Sequence, residues 1–393
     1  MICGLNHYRY IELDLDGTCY IRADSVDSIE RVDGIIFDCD GVLIDASDSY
    51  DKTIQITVNY ILSQLLGIEL PEDFVPMNLI YQLRMSGGFN NDWDTSYIIL
   101  LYIFSQLPKD FQSTFTDIYR RLPNELCKKA KERLMEVSSS LKSTNVMKDV
   151  QLNIEKLQKG LFNLARMADS SGISSLEGFL NGESLTTFKE FLKYPGKIGE
   201  SLVTTFFEEA YLGSEIFERV YKIEPQFRLG LGMIENERLM VKEETLQELL
   251  NLLGEGKLGI ASGRGYYATQ KTLGKLMSYF NLEAMVFSAD DLLKEGLTKD
   301  ELMELVKPAP YPLLKAADGL LGASKVMYVG NSTEDLLMEE RANKVVNRFL
   351  FAGIYISRYG CEAQDQLRLF LDRGADVVLQ SVNQLPKVLR RFR

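Results

Sequence analysis

The sequence predicts an α/β protein, with a doubly wound parallel sheet of Rossmann-like type and a large inserted all-α domain. Three observations predict it. After residue 240, short apolar segments alternate with helical ones, the rhythm of a parallel sheet. One further strand of the same kind, at residues 34–37, stands alone far upstream. Everything between the two carries helical periodicity. The reading divides the chain into an α/β core, residues 1–45 plus 240–393, and a helical domain, residues 46–239. The insertion follows the first central strand directly, where it can fold over a site as a lid.

Residues 1–33 form an entry segment. Ile11, Leu13 and Leu15 alternate with Glu12, Asp14 and Asp16, and Gly17 turns the chain toward Tyr20 and Ile21. This is the pattern of a half-exposed surface hairpin. Residues 34–45 read GIIFDCDGVLID, an apolar run that stops at Asp38. Helices are predicted at Thr53–Leu66, Asp94–Leu107, Phe111–Leu122, Asn145–Ala168, Thr186–Lys193 and Leu202–Leu212, punctuated by Pro71, Pro76, Gly87–Gly88, Gly172, Pro195 and Pro225. Strands follow at Leu258–Ala261, Met285–Ser288, Lys325–Val329, Val345–Gly353 and Asp376–Leu379. Helices are predicted between them at Lys242–Leu253, Tyr267–Tyr279, Leu313–Leu321, Thr333–Ala342 and Ala363–Arg373.

Composition excludes several classes. A chain of 393 residues, 46% hydrophobic and 25% charged, has the profile of a soluble globular protein. Its longest apolar candidate, Tyr97–Phe104, is too short to span a membrane. The start, MICGLNHYRY, lacks a secretory pattern, so a cytoplasmic location is expected. A net charge of −12 argues against nucleic acid as a partner, and the basic clusters Lys128–Arg133 and Arg390–Arg393 read as a solvated helix face and a tail. Five scattered cysteines form no CxxC, which fits neither a disulfide frame nor a zinc site. Cys39, between two aspartates, is expected to point into the core. One histidine, His7, cannot supply a catalytic triad and a metal centre, and is expected at the surface. Chemistry must then run on carboxylates, hydroxyls and lysine.

The chemistry-bearing segments follow from this. Asp38 and Asp40 lie two apart at the tip of a buried strand, and Gly41 lets the chain turn so that both acids reach one volume, with a cation between them. The pair Asp14 and Asp16 has the same spacing before a glycine. Its strict polar alternation assigns it to a surface hairpin. Ser262, Gly263 and Arg264 end another strand, where a hydroxyl and backbone N–H groups can hold a phosphoryl oxygen and Arg264 a second anionic group. Lys307 precedes two prolines on a stiff loop, placing an ammonium near the acids. Asn331 and Asp335, with Glu334 nearby, enter a helix after a fourth strand and can complete an oxygen-rich magnesium shell, beside capping by Ser332 or Thr333. In the helical domain, Gly88, Asn91 and Trp93 lie on a loop with the composition of a substrate contact, the alternative being a helix start capped by Asp92 or Asp94.

These four core segments, in this order, resemble the haloacid dehalogenase (HAD) superfamily over residues 34–48 and about 240–380, nearest the phosphoglycolate-phosphatase-like branch with its inserted helical cap. The resemblance implies Asp38 as nucleophile, Asp40 as general acid and base, Ser262 as phosphoryl ligand and Lys307 as the cation joining Asp38 to the phosphate. It implies Mg²⁺ held by the Asp38 carboxylate, the Asp40 carbonyl and the fourth segment. The family usually has Asp directly after the glycine of that segment. Here Asn331 stands there, one negative charge is lost, and more of the metal binding is expected from Asp335. The implied activity is hydrolysis of a small phosphorylated metabolite through an aspartyl-phosphate. Alternatives are a phosphomutase and a non-catalytic relative whose helical insertion binds a partner.

Overall fold

The computed structural model describes all residues except 1, 6, 7, 90, 127, 151, 181, 292–303 and 356–359. His7 is therefore outside the described residues. The chain separates into two compact units, Met1–Ala46 with Glu237–Arg393, and Ser47–Asn236. The returning segment 237–239, assigned to the helical half on sequence, goes with the sheet. There β6 (Arg238–Leu239) pairs antiparallel with β5 (Ile44–Asp45), so the outgoing and returning chains form one ribbon.

The sheet unit is built on β1 (Ile2–Leu5), β2 (Tyr8–Asp14), β3 (Thr18–Arg22), β4 (Gly34–Phe37), β7 (Leu258–Ser262), β8 (Met285–Phe287), β9 (Val326–Gly330), β10 (Phe349–Ile354) and β11 (Val377–Leu379). Among the described residues they form a nine-stranded sheet in the order β1-β2-β3-β11-β10-β9-β4-β7-β8. The stretch from β11 to β8 is parallel throughout. After β4, the chain builds outward through β7 and β8 on one side, then crosses to β9 and builds outward through β10 and β11 on the other. The order reverses at β4, and ligands bind outside the carboxyl ends of strands at such a switch point.

Why β4 is central is visible in its residues. Gly34, Ile35, Ile36 and Phe37 are all buried, as a parallel strand covered on both faces requires. Ile36 joins a core on one face with Tyr328, Phe351 and Phe370, and with Leu313, Ala316 and Ala317 of helix Tyr311–Gly319. Its neighbour Phe37 points to the other face and meets Phe280 edge-on at 5.9 Å.

Several expectations need correction. The β2–β3 hairpin is half-exposed as expected, but it also joins the main sheet, β3 pairing antiparallel with β11 and Cys19 and Ile21 fully buried. The helix expected over Asn145–Ala168 divides into a 3-10 turn, Asn145–Asp149, and a helix, Ile154–Ala165, because the Asn153 side chain caps the second by accepting from Lys156 N. The strand expected from Val345 starts at Phe349, since Val345 ends helix Thr333–Val345 and is exposed. Helices Met77–Met85, Ala130–Lys142 and Ser214–Tyr221 add to those named within the inserted helical half, whereas helix Leu385–Phe392 takes in part of what was expected as a tail. Within Lys128–Arg133, Arg133 is fully buried, donating to Phe191 O at 2.7 Å and Glu200 O at 2.7 Å. Among the described residues no helix is long and apolar enough to cross a membrane.

Of several buried acids outside the chemistry-bearing segments, one bears on stability. Glu339, on helix Thr333–Val345, has its carboxyl pushed up to about 8 by burial, reinforced by Asp376. A folded-state value above the ordinary 4.5 means the folded chain binds the extra proton between those limits. That contribution to stability is complete below the ordinary value and lost as pH rises through about 8. Glu339→Gln should therefore raise the melting temperature by a few degrees at pH 9 and leave it nearly unchanged at pH 4.5, read by thermal melts across that range.

Candidate active site

The turn after β4 is shaped by one carbonyl. Asp38 N donates to Val329 O at 2.9 Å, carrying the ladder one residue past the strand. Cys39 O then accepts from Val42 N (3.2 Å), Leu43 N (2.8 Å) and Ile44 N (2.9 Å), which folds the chain back. Cys39 is completely buried, and burial, with the neighbouring acids, pushes its thiol up to about 12, which disfavours the thiolate. Gly41 has φ +74°, and a Cβ there would lie 2.7 Å from Asn331 Cγ. Glycine is needed twice over, for the left-handed backbone and for the approach of Asn331.

Lys307 joins two of the four segments. Its Nζ lies 2.8 Å from Asp38 Oδ1 and 2.6 Å from Asp335 Oδ1, and the side chain is almost wholly buried. Burial pushes the Asp38 carboxyl up and Asp335 adds to the rise, while Lys307 and a Ser262 hydrogen bond oppose it; the net direction is upward. Lys307 itself is held well above its ordinary value, since the two carboxylates outweigh its desolvation. Ser262, at the end of β7, is buried and accepts from Arg264 N at 3.3 Å. Gly263 is exposed, and a Cβ there would meet nothing within 4 Å.

Two assignments change. Asp335 is not available as a metal ligand. Its Oδ1 accepts from Lys307 and from Tyr328 OH (2.7 Å), and its Oδ2 from Asn331 N (3.0 Å), Ser332 N (3.0 Å) and Ser332 Oγ (2.8 Å). Desolvation pushes this carboxyl up, but those donors win and hold it below the usual carboxylate range. With Ser332 it forms a capping box, so the capping role predominates. Arg264 is not open to an anionic ligand either. Its side chain is 0% exposed, with Nη1 2.9 Å from Asp40 Oδ1 and 2.9 Å from Glu237 Oε1, and Nη2 on Glu237 Oε2. Asp40 remains 34% exposed, and its carboxyl is pushed up to about 6 by desolvation, which Arg264 opposes.

The structure thus brings together Asp38, Asp40, Ser262, Lys307 and Asn331. Sequence reasoning missed Glu237 and Tyr328. Neither had a local signal, since Glu237 lies 27 residues from its partner Arg264 and Tyr328 was read only as part of an apolar strand. Gly88, Asn91 and Trp93 are engaged within the helical unit. A Cβ on Gly88 would strike the backbone of Gly172. Asn91, rather than Asp92 or Asp94, caps helix Asp92–Ser105 by accepting from Trp93 N at 2.9 Å. Trp93 Nε1 donates to Glu208 Oε1 at 2.9 Å, and burial pushes the Glu208 carboxyl up to about 7. Asp92 pairs with Arg84 at 2.8 Å, and Asp94 accepts from Tyr194 OH.

Asp14 and Asp16 belong to the turn between β2 and β3, where Asp14 Oδ1 accepts from Gly17 N at 3.1 Å and Asp16 meets Lys387. Three strands, β9, β10 and β11, separate this hairpin from β4 in the sheet order. If the chain turns over phosphate esters as the sequence resemblance implies, Asp14→Asn should keep the rate within about twofold of wild type, in line with a surface change. A collapse in initial rate would relocate the site to this hairpin.

No family model and no curated protein matches the chain. Solved structures that resemble it include a Northeast Structural Genomics Consortium target, with a TM-score of 0.62, 22% identity, and coverage of 91% of this chain and 98% of that one. Phosphatase Tt82 from Thermococcus thioreducens matches with a TM-score of 0.47 and 19% identity, over 90% of this chain and 97% of its own. A HAD-superfamily hydrolase, subfamily IA, variant 1, from Geobacter sulfurreducens matches with a TM-score of 0.37 and 14% identity, over 91% and 97%. The last two superpose too loosely to bear on activity. The likeness to the first is one of fold: an α/β chain with a mostly parallel sheet and extensive helix.

Proposed function

We propose that the chain is a Mg²⁺-dependent phosphatase of the HAD superfamily, in the branch with a helical insertion after the first motif. Its substrate would be a small phosphorylated metabolite, hydrolysed through an aspartyl-phosphate on Asp38. The observation that carries this reading is the Asp38 carboxylate at the switch point of the sheet, 2.8 Å from the buried Lys307 ammonium and two residues before a second acid. An Asp38 oxygen attacks phosphorus. Lys307 offsets the charge that gathers between carboxylate and phosphate. The Ser262 hydroxyl and the backbone after it, unobstructed at Gly263, receive a phosphoryl oxygen. Asp40 donates a proton to the leaving oxygen and takes one back from water, and a value of about 6 keeps part of its population protonated near neutrality.

The donors present fit a hard cation. Asp38 has a second carboxylate oxygen, Asp40 a backbone carbonyl, and Asn331 an amide drawn over Gly41. All are oxygens, the ligand type Mg²⁺ takes, and waters and substrate phosphate would supply the rest. When bound it would draw charge from the transferring phosphoryl group. Among the described residues no group of three or more Asp, Glu, Cys or His side chains is placed to hold a metal ion.

The net charge of −12 favours neither nucleic acid nor an anionic membrane surface as partner, and the scattered cysteines accord with a cytoplasmic setting. The test is phosphate release from p-nitrophenyl phosphate and a panel of phosphorylated metabolites, with Mg²⁺ and with chelator. Turnover that requires the metal supports the reading, and silence across the panel refutes it. Asn331→Asp restores a negative charge and should lower the Mg²⁺ concentration for half-maximal activity by about tenfold, one charge-assisted contact being worth about 1.5–3 kcal/mol.

A further inference from the structure

We propose that Arg264, anchored by Glu237, is a positioning residue that fixes the Asp40 carboxylate for proton transfer. The inference rests on the phosphatase reading and goes beyond it in assigning a role to two residues that touch no substrate.

The geometry is that of a clamp. Arg264 and Glu237 both have side chains that are 0% exposed. Their contact is two-pronged, Nη1 to Oε1 and Nη2 to Oε2. Arg264 Nη2 also donates to Ala268 O (3.1 Å) and meets Thr272 Oγ1 (3.2 Å), and Thr272 Oγ1 donates to Glu237 Oε2 at 2.5 Å. Helix Tyr266–Leu273 and the returning chain therefore hold the guanidinium from two sides. Arg264 Nη1 also donates to Asp40 Oδ1, at 2.9 Å. With Oδ1 held by Arg264, the proposal assigns proton transfer to Oδ2.

Stability alone gives little reason for this arrangement. Burying a guanidinium and a carboxylate costs several kcal/mol of desolvation per ion, and apolar residues of similar volume often fill such space at no loss. A rigid fork is, however, well suited to holding a carboxylate at a fixed angle. Glu237 also sits immediately before β6, whose partner β5 follows the Asp40 turn, so the clamp ties together both strands of the ribbon. The step it serves balances simply. An Asp38 oxygen bonds to phosphorus, the bond to the leaving oxygen breaks, and the Asp40 proton passes to that oxygen.

The experiment uses kcat/KM for substituted phenyl phosphates, from the 4-nitro compound, whose leaving group needs no proton, to unsubstituted phenyl phosphate, which does. Glu237→Gln should cost phenyl phosphate at least tenfold more than 4-nitrophenyl phosphate, with KM little changed, and Arg264→Lys should recover part of what Arg264→Met loses. Should Arg264→Met fail to fold, the charge-free pair Arg264→Met with Glu237→Leu should fold and show the same selective loss. A loss equal across the series, or no loss, in folded variants overturns the clamp and leaves the phosphatase reading standing. A wild-type protein that hydrolyses none of the series overturns both.

Discussion

Asp38→Asn is expected to reduce turnover of p-nitrophenyl phosphate by on the order of 10⁴-fold or more, the scale seen when a covalent nucleophile is removed. The substitution keeps the shape of the side chain and one acceptor oxygen, but an amide is not a nucleophile toward phosphorus. It should not unfold the protein. Burial and the nearby Asp335 already push the Asp38 carboxyl up, which marks its ionised form as unfavourable where it sits. A neutral amide removes that conflict, so the melting temperature should hold or rise while activity disappears, as when an active site stores unfavourable electrostatics. Initial rates beside a thermal melt test both halves. Retained turnover in a folded variant would assign the chemistry to another group, and a comparable loss in Asp14→Asn would assign it to the other acid pair.

What the sequence made legible depended on whether the deciding contacts were local. Residues 34–37 could be read as a central strand because an unbroken apolar run leaves no solvent face, and 11–15 could not because every second residue is charged. Gly41 was readable as a turn because φ +74° is a property of the residue itself. Asp335 shows the limit. Its position three residues after Ser332 allowed both a capping box and a metal ligand, and the choice was made by Lys307, 28 residues away, and by Tyr328 on the preceding strand. Arg264 was equally ambiguous. A lone arginine after a strand suits an anion, and only the return of Glu237 to the sheet unit shows that its charge is already matched. On helix Ala130–Lys142 it was the burial of Arg133 that stayed hidden, since a basic run looks solvated until Arg133 is seen binding backbone carbonyls inside the helical unit.

Lys307→Met is expected to have the largest combined effect on stability and activity. Lys307 lies between Asp38 Oδ1 at 2.8 Å and Asp335 Oδ1 at 2.6 Å, and all three side chains are nearly or fully buried. Removing one member of a buried ionic cluster strands the others, at a cost of about 3–5 kcal/mol. Here two carboxylates would be left facing each other, so the loss should sit at the upper end. Asp335 keeps the Tyr328 hydroxyl and its three donors at the helix start, whereas Asp38 keeps Ser262 alone among the named donors. The burden therefore falls on Asp38, the proposed nucleophile, and phosphate release should be lost with the stability. A double-mutant cycle separates repulsion from simple loss of packing. Asp335→Asn in the wild type removes a satisfied charge and should destabilise, whereas in the Lys307→Met background it removes one of two opposed charges and should cost less or be neutral. The coupling should exceed about 1 kcal/mol, within the range for residues sharing one network. Additive effects in chemical denaturation would mean that the ammonium acts as a space-filling side chain, and that the charge balance at the tip of β4 is set by some other group.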